Sequence, residues 1–289
     1  TRPVRYRRPP AITTDGAAPV TSTPPPSAPP PSTPPPSTPP AAARKPAPPL
    51  PPLPTGPVTS VAEAIDRMEA IAAALPPTDG LSCFNRMYLT VTRAVGERIG
   101  AGFFVDEEFM TRLDVVFANI YLAAVDAWAR DESQVSRSWR VLLSRRTDTD
   151  VAPLQFALAG LNTHINHDLC IAVVTTSREL GTSPDEGSHE EDFERVNAVL
   201  GELNESIRES FETGIILELD RRVDGLDNLV ANFSITAARD VAWDNARALW
   251  HLDDNRFLSG PFLDSLDRFV AFAGRGLLIP LGLASRGSV

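Results

Sequence analysis

The chain has 289 residues, and 22 of its 28 prolines fall within residues 1–57. That segment carries Arg2, Arg5, Arg7, Arg8, Arg44 and Lys45 against Asp15, a net of +5 in a chain of −10, which leaves the remainder near −15. So acidic a remainder excludes a general nucleic-acid partner, and no run of about 18 apolar residues exists to span a membrane.

Residues 1–57 hold too little apolar surface to offset the entropy of ordering, and they read as a disordered Pro/Ser/Thr-rich tail. The repeat "PPPSAPPPSTPPPSTPP" over residues 24–40 is a semi-rigid polyproline II spacer. Its far end, "TRPVRYRRPP", suits an acidic or proline-reading protein partner. The composition is similar to that of the disordered leaders that load some actinobacterial enzymes into protein shells. Cys83 and Cys170 form no disulfide framework and no C-x-x-C pair. The expected location is the cytoplasm, with a removed leader left open because the chain begins at Thr1.

From residue 58 the pattern is helical. "SVAE", with Ser60 and Glu63, is a capping box opening a helix through Ala74, which Pro76, Pro77 and Gly80 end. A second helix is expected over Cys83–Ile99, closed by Gly100. Asp106 caps the third, along which Leu113, Val116, Phe117, Ile120, Tyr121, Ala124 and Trp128 recur at three- and four-residue steps. The fourth spans 152–177. Beyond the acidic loop "GTSPDEGSHEED", helices are expected over about 190–216 and 228–252. A last one starts at Pro261, a residue suited to the first helical position, and reaches about Phe272. No segment alternates with period two. The expectation is an all-α, single-domain bundle of about seven helices over residues 58–289.

The fourth helix carries "LNTHINHDL" (161–169), two of the chain's four histidines with two asparagines and an aspartate. At 100° per residue, Leu154, Leu158, Leu161, Ile165, Leu169 and Ala172 form the buried stripe. His164 and Asp168 stack one turn apart beside it. Asn162 and Asn166 flank the other side, and His167 faces away from the core. A half-buried His–Asp pair at i, i+4 can share a divalent metal, work as a general acid–base pair, or satisfy itself structurally. A metal site needs ligands from other helices, for which Asp114 and His251 are candidates. His189, in the acidic loop, reads as solvated.

"CFNRMYL" places Asn85, Arg86 and Tyr88 among apolar residues, with Arg86 suited to an anionic substrate or a structural ion pair. Trp243 and Trp250 read as core, Cys83 and Cys170 as small buried hydrophobes. Arg275, between Gly274 and Gly276, lacks the strand–turn–helix setting of a phosphate loop.

The segments "CFNRMYL", "LDVVFANIYLAA", "LQFALAGLNTHINHDL" and "AGRGLL" together resemble an uncharacterised, mostly actinobacterial helical family marked by an N-x-H-I-N-x-D-L run. That run falls on Asn162, His164, Ile165, Asn166, Asp168 and Leu169, with His167 in the variable slot. The resemblance implies no activity. The H-x-x-x-D pattern is also similar to that of the zinc phospholipase C and P1-type nuclease group, whose trinuclear cluster needs more histidines than this chain has.

Two readings follow. One is a metal-dependent hydrolase: His164, Asp168 and Asp114 hold a zinc, manganese or iron ion that lowers the pKa of a water. His164, Asp168 and Arg86 are then catalytic, Asn162, Asn166, Asn85 and Tyr88 complete the pocket, and a small anion is the substrate. The other is a non-catalytic helical scaffold whose polar cluster fixes helix register and whose tail recruits a protein partner.

Overall fold

A computed structural model describes residues 47–212, 234–252 and 255–281, and residues 45–289 form one unit. The described residues are helical, with no strand among them. In chain order they form α1 (Val61–Ala74), α2 (Gly80–Arg98), α3 (Glu107–Arg130), a 3-10 turn (Glu132–Gln134), α4 (Arg137–Leu143) and α5 (Pro153–Thr163). A π-helical turn (His164–Asp168) joins α5 to α6 (Leu169–Leu180) without a break, and α7 (His189–Glu212), α8 (Ile235–Leu252) and α9 (Arg256–Leu277) follow. The expected helical stretches 213–216 and 228–233, and the repeat at 24–40, lie outside the described residues.

Helix starts follow their capping chemistry. Ser60 Oγ accepts from Glu63 N, and the Glu63 carboxylate reaches back to Thr59 N, one residue before the cap whose amide a strict capping box would bond. Asp106 accepts from Phe109 N at 2.9 Å. Two boundaries differ from expectation. Asp79 caps α2, so Gly80, expected to help end the first helix, instead opens the second, three residues before the expected Cys83. Pro261 sits inside α9, which starts five residues earlier under an Asn255 cap. A proline there leaves the Phe257 carbonyl without its helical donor, and Phe257 is 90% exposed, so water can satisfy that oxygen.

Residues 47–57 pack on the bundle, although their composition groups them with the tail. Leu50 and Leu53 lie against the core, Arg67 donates to the carbonyls of Pro54 and Gly56, and Arg146 donates to that of Pro48. The two arginines satisfy backbone oxygens that a proline-rich strand cannot pair for itself.

Two apolar clusters share the interior. One gathers Met68, Phe84, Tyr121, Trp139, Leu142 and Phe156 from α1 to α5. The other gathers Phe109, Leu113, Ile165, Val173, Phe193 and Trp243 from α3, the π turn, α6, α7 and α8. Phe117 and Leu161 pack against both. α2 and α5 approach closely because Gly160 has no side chain: a Cβ there would stand 2.4 Å from the Phe84 ring. Phe84 in turn meets Tyr88, Tyr121, Trp139 and His164 with ring centroids 5.1–5.7 Å apart. The seam between the clusters is therefore aromatic, and the π turn lies on it.

Candidate active site

In the π turn the Leu169 N–H bonds back to the His164 carbonyl, five residues earlier. Widening by one residue changes the direction of the side chains relative to a uniform 100° wheel. His167, placed outward by that wheel, is buried, with its Nδ1 2.7 Å from Asp168 Oδ1. His164 Nδ1 lies 3.0 Å from the other oxygen, Oδ2, which also accepts from Trp139 Nε1 at 2.8 Å. One carboxylate thus receives three N–H groups.

Trp139 reaches Asp168 because α9 fixes α4. Both oxygens of Asp267 accept from the first backbone amides of α4, Arg137 N and Ser138 N, each at 2.9 Å. An anion at a helix N-terminus satisfies orphan donors and complements the dipole. The short helix is held in register, and its indole points at the π turn.

Protonation follows from the bonding. A carboxylate only accepts, so Nδ1 of both histidines carries the hydrogen. Burial works against an ionised Asp168, but the bonds from His164 and His167 and the His167 charge outweigh it and hold the carboxyl below its usual range. For His167, burial opposes the charge, while the bond and charge of Asp168, with Asp267 nearby, raise the imidazole above its ordinary value. For His164 burial wins over Asp168 and lowers it. Of the two rings His167 is therefore the readier to take a proton beside Asp168. His164, with its hydrogen on Nδ1, keeps a lone pair on Nε2.

That Nε2 is buried and has no hydrogen-bond partner. Its ring is stacked on Phe117 at 3.6 Å and 4°, with Tyr88 edge-on at 4.5 Å. His164 lines a cavity of about 80 Å³ whose other walls include Met87, Val91, Leu113, Phe117, Leu161 and Leu169. Three further polar side chains line it: Tyr88, Asp114 and Arg239. The Tyr88 hydroxyl and Asp114 Oδ2 are also buried without a hydrogen-bond partner. Desolvation pushes Asp114 up to about 7, and burial with the Asp114 charge holds the Tyr88 phenol well above its ordinary value. An unpaired buried polar atom costs about 1–3 kcal/mol. His164 Nε2 and Asp114 Oδ2 are two such atoms on residues of one apolar cavity, while the Tyr88 hydroxyl has the Thr92 side chain beside it.

Of the residues singled out in the sequence, Tyr88, Asp114 and His164 meet at this cavity, with Asp168 directly behind His164. The rest do not line it. Asn85 donates to Met68 O and accepts from Tyr121. Arg86 is exposed and donates to Ser82 and to the Ala72 carbonyl, capping the end of α1. Asn162 donates to Val270 O and accepts from Asn166, pinning α9. His251 is exposed. His189 is buried at 3% exposure, stacked on Phe109 at 3.8 Å, and bonded to Ser183 O and Asp106, because the acidic loop folds back onto the start of α3. Cys83 and Cys170 are buried as expected, the Cys170 thiol pushed up to about 12 by desolvation. Trp139 and Arg239 escaped the sequence reading. α4 is only seven residues long, too short for a periodic signal, and Arg239 sits on a helix that otherwise reads as ordinary amphipathic surface.

Both oxygens of Asp168 accept from N–H donors. Among the described residues no group of three or more His, Cys, Asp or Glu side chains converges as a ligand set, the expected trio of His164, Asp168 and Asp114 included.

Residues 61–280 match the model of a family of unknown function, DUF5995, and the chain belongs to that family. No curated protein and no solved structure matches it.

Proposed function

We propose that this member of the family is an enzyme whose His164 works as a general base on a small, largely apolar substrate. The observation that carries the reading is the orphaned Nε2 of His164, a residue that lines the cavity, while Nδ1 is fixed by Asp168. A base needs a free lone pair within reach of the proton it takes, and a partner that stabilises the imidazolium formed. Asp168 supplies the second, and its own orientation is held by Trp139 and His167. The Tyr88 hydroxyl can donate to negative charge that develops on the substrate, and Asp114 can exchange a proton near neutral pH. Among the described residues no Ser, Cys or Lys lines the cavity, so the base acts on the substrate's own acidic proton or on a water. The hydrolytic form of the reading uses that water.

One observation favours the scaffold alternative: Asp168 ties α4 to both histidines of the π turn, which is what a register-fixing cluster does. A panel of methyl esters from acetate to butanoate, followed by titration of the acid released, separates the two. The enzyme reading expects turnover that falls about 10²–10⁴-fold in His164→Ala with the melting temperature within a few degrees of wild type. Equal turnover in the variant, or a variant that only melts earlier, supports the scaffold.

A further inference from the structure

We propose that the cavity takes a short-chain carboxylate, its anionic head held by Arg239 and its apolar body directed toward His164. The inference rests on the general-base reading only for what happens at the far end of the ligand; the anion site stands on its own observations.

Three arginines are buried among the described residues: Arg67, Arg146 and Arg239. The first two each have a buried carboxylate, Arg67 with Asp126 at 2.8 Å and Arg146 with Asp79. Arg239, 6% exposed, has none within 4.0 Å among the described residues. Its Nε donates to Asn197 Oδ1 at 2.8 Å, one Nη to the Phe193 carbonyl, and its guanidinium lies 4.0 Å over the Phe193 ring. The other Nη has no hydrogen-bond partner among these residues. Two neutral acceptors and a ring face orient the group without cancelling its charge. Glu194 and Asp240 act on it only from a distance; both are exposed, and Glu194 accepts from Asn197. Desolvation brings Arg239 down to about 10, so it stays a cation at neutral pH.

A buried cation without a counter-charge costs several kcal/mol. The one buried arginine that lacks a carboxylate is also the one that lines the cavity. Asp114 lines the same cavity but is not among the charges acting on Arg239, so the two polar ends are separate. Val91, Val95, Val196, Leu200 and Leu169 supply the apolar wall. A guanidinium fork matches a carboxylate. The cavity is about 80 Å³, compared with about 150 Å³ for one that holds benzene, which suits a chain of a few carbons.

The test is calorimetric titration of the full chain with propanoate and butanoate, and with propanamide and butanamide, which share their shape but not their charge. Wild type is expected to bind each acid at least tenfold tighter than its amide. Arg239→Gln should abolish that preference and Arg239→Lys retain part of it. His164→Ala should keep the preference while losing turnover. Equal affinity for acid and amide in wild type, no saturable binding of either acid, or an unchanged preference in a folded Arg239→Gln would overturn the proposal. The wild-type comparison needs no variant, so a folding defect cannot obscure it. If the acid preference stands but His164→Ala leaves turnover intact, the base reading fails and the anion site survives.

Discussion

His164 Nδ1 and Asp168 Oδ2 stand 3.0 Å apart, each residue 1% exposed, with the opposite ring nitrogen of His164 left unbonded at a cavity wall. The carboxylate fixes which nitrogen holds the hydrogen and so leaves the other basic. Asp168→Asn should disturb that choice, because an amide can present an N–H to the imidazole. We expect turnover to fall by about 10²–10⁴-fold with the fold retained, read by steady-state kinetics alongside circular dichroism. An Asn variant with wild-type kcat would show that the tautomer is not set by Asp168.

His167 gives a pH signature of stability. Its folded value is raised above the ordinary 6.5, so its contribution is complete below 6.5 and is lost as pH rises through the raised value. His167→Asn should therefore cost roughly 1.5–3 kcal/mol at pH 6 and distinctly less at pH 9. Urea melts at the two pH values measure the difference; a pH-independent cost would mean that the ring is uncharged in the native protein.

Asp114 has the same sign for a different reason. Its folded value of about 7 exceeds the ordinary 3.8, so the native state loses stability as pH rises from 3.8 to about 7, and the full penalty is in place above that. Asp114→Asn should match wild type near pH 4 and be more stable by on the order of 1–3 kcal/mol at pH 8. Thermal melts across that range check it, and a variant less stable than wild type at pH 8 would show that a charged Asp114 has a partner.

Gly160→Ala tests the seam. Its Cβ would meet the Phe84 ring at 2.4 Å, and Phe84 abuts His164, so the strain passes toward the site. A loss of about 1–3 kcal/mol is expected from overpacking. A neutral effect would mean that Phe84 can turn aside without disturbing its neighbours.

Much of the fold was legible because helices advertise themselves through period and caps. Ser60 with Glu63, and Asp106 before "EEF", marked their helix starts to the residue. The pairing of His164 with Asp168 was legible because i, i+4 spacing survives the π turn. The side to which His167 points was not, since a single widened turn leaves no trace in periodicity. Arg86 was the natural guess for an anion partner because apolar residues surround it in sequence, yet its long side chain turns out to the end of α1. Nothing in the sequence marks Arg239, because its burial depends on α7 packing over it, a tertiary fact.

The most direct measurement is the pair of ring ¹⁵N shifts of His164, assigned with His164→Gln, recorded between pH 6 and 8 with and without butanoate. The account requires a protonated Nδ1, an unprotonated Nε2, and a change at Nε2 when the cavity fills. A hydrogen on Nε2, or a resonance that no cavity ligand moves, would contradict it.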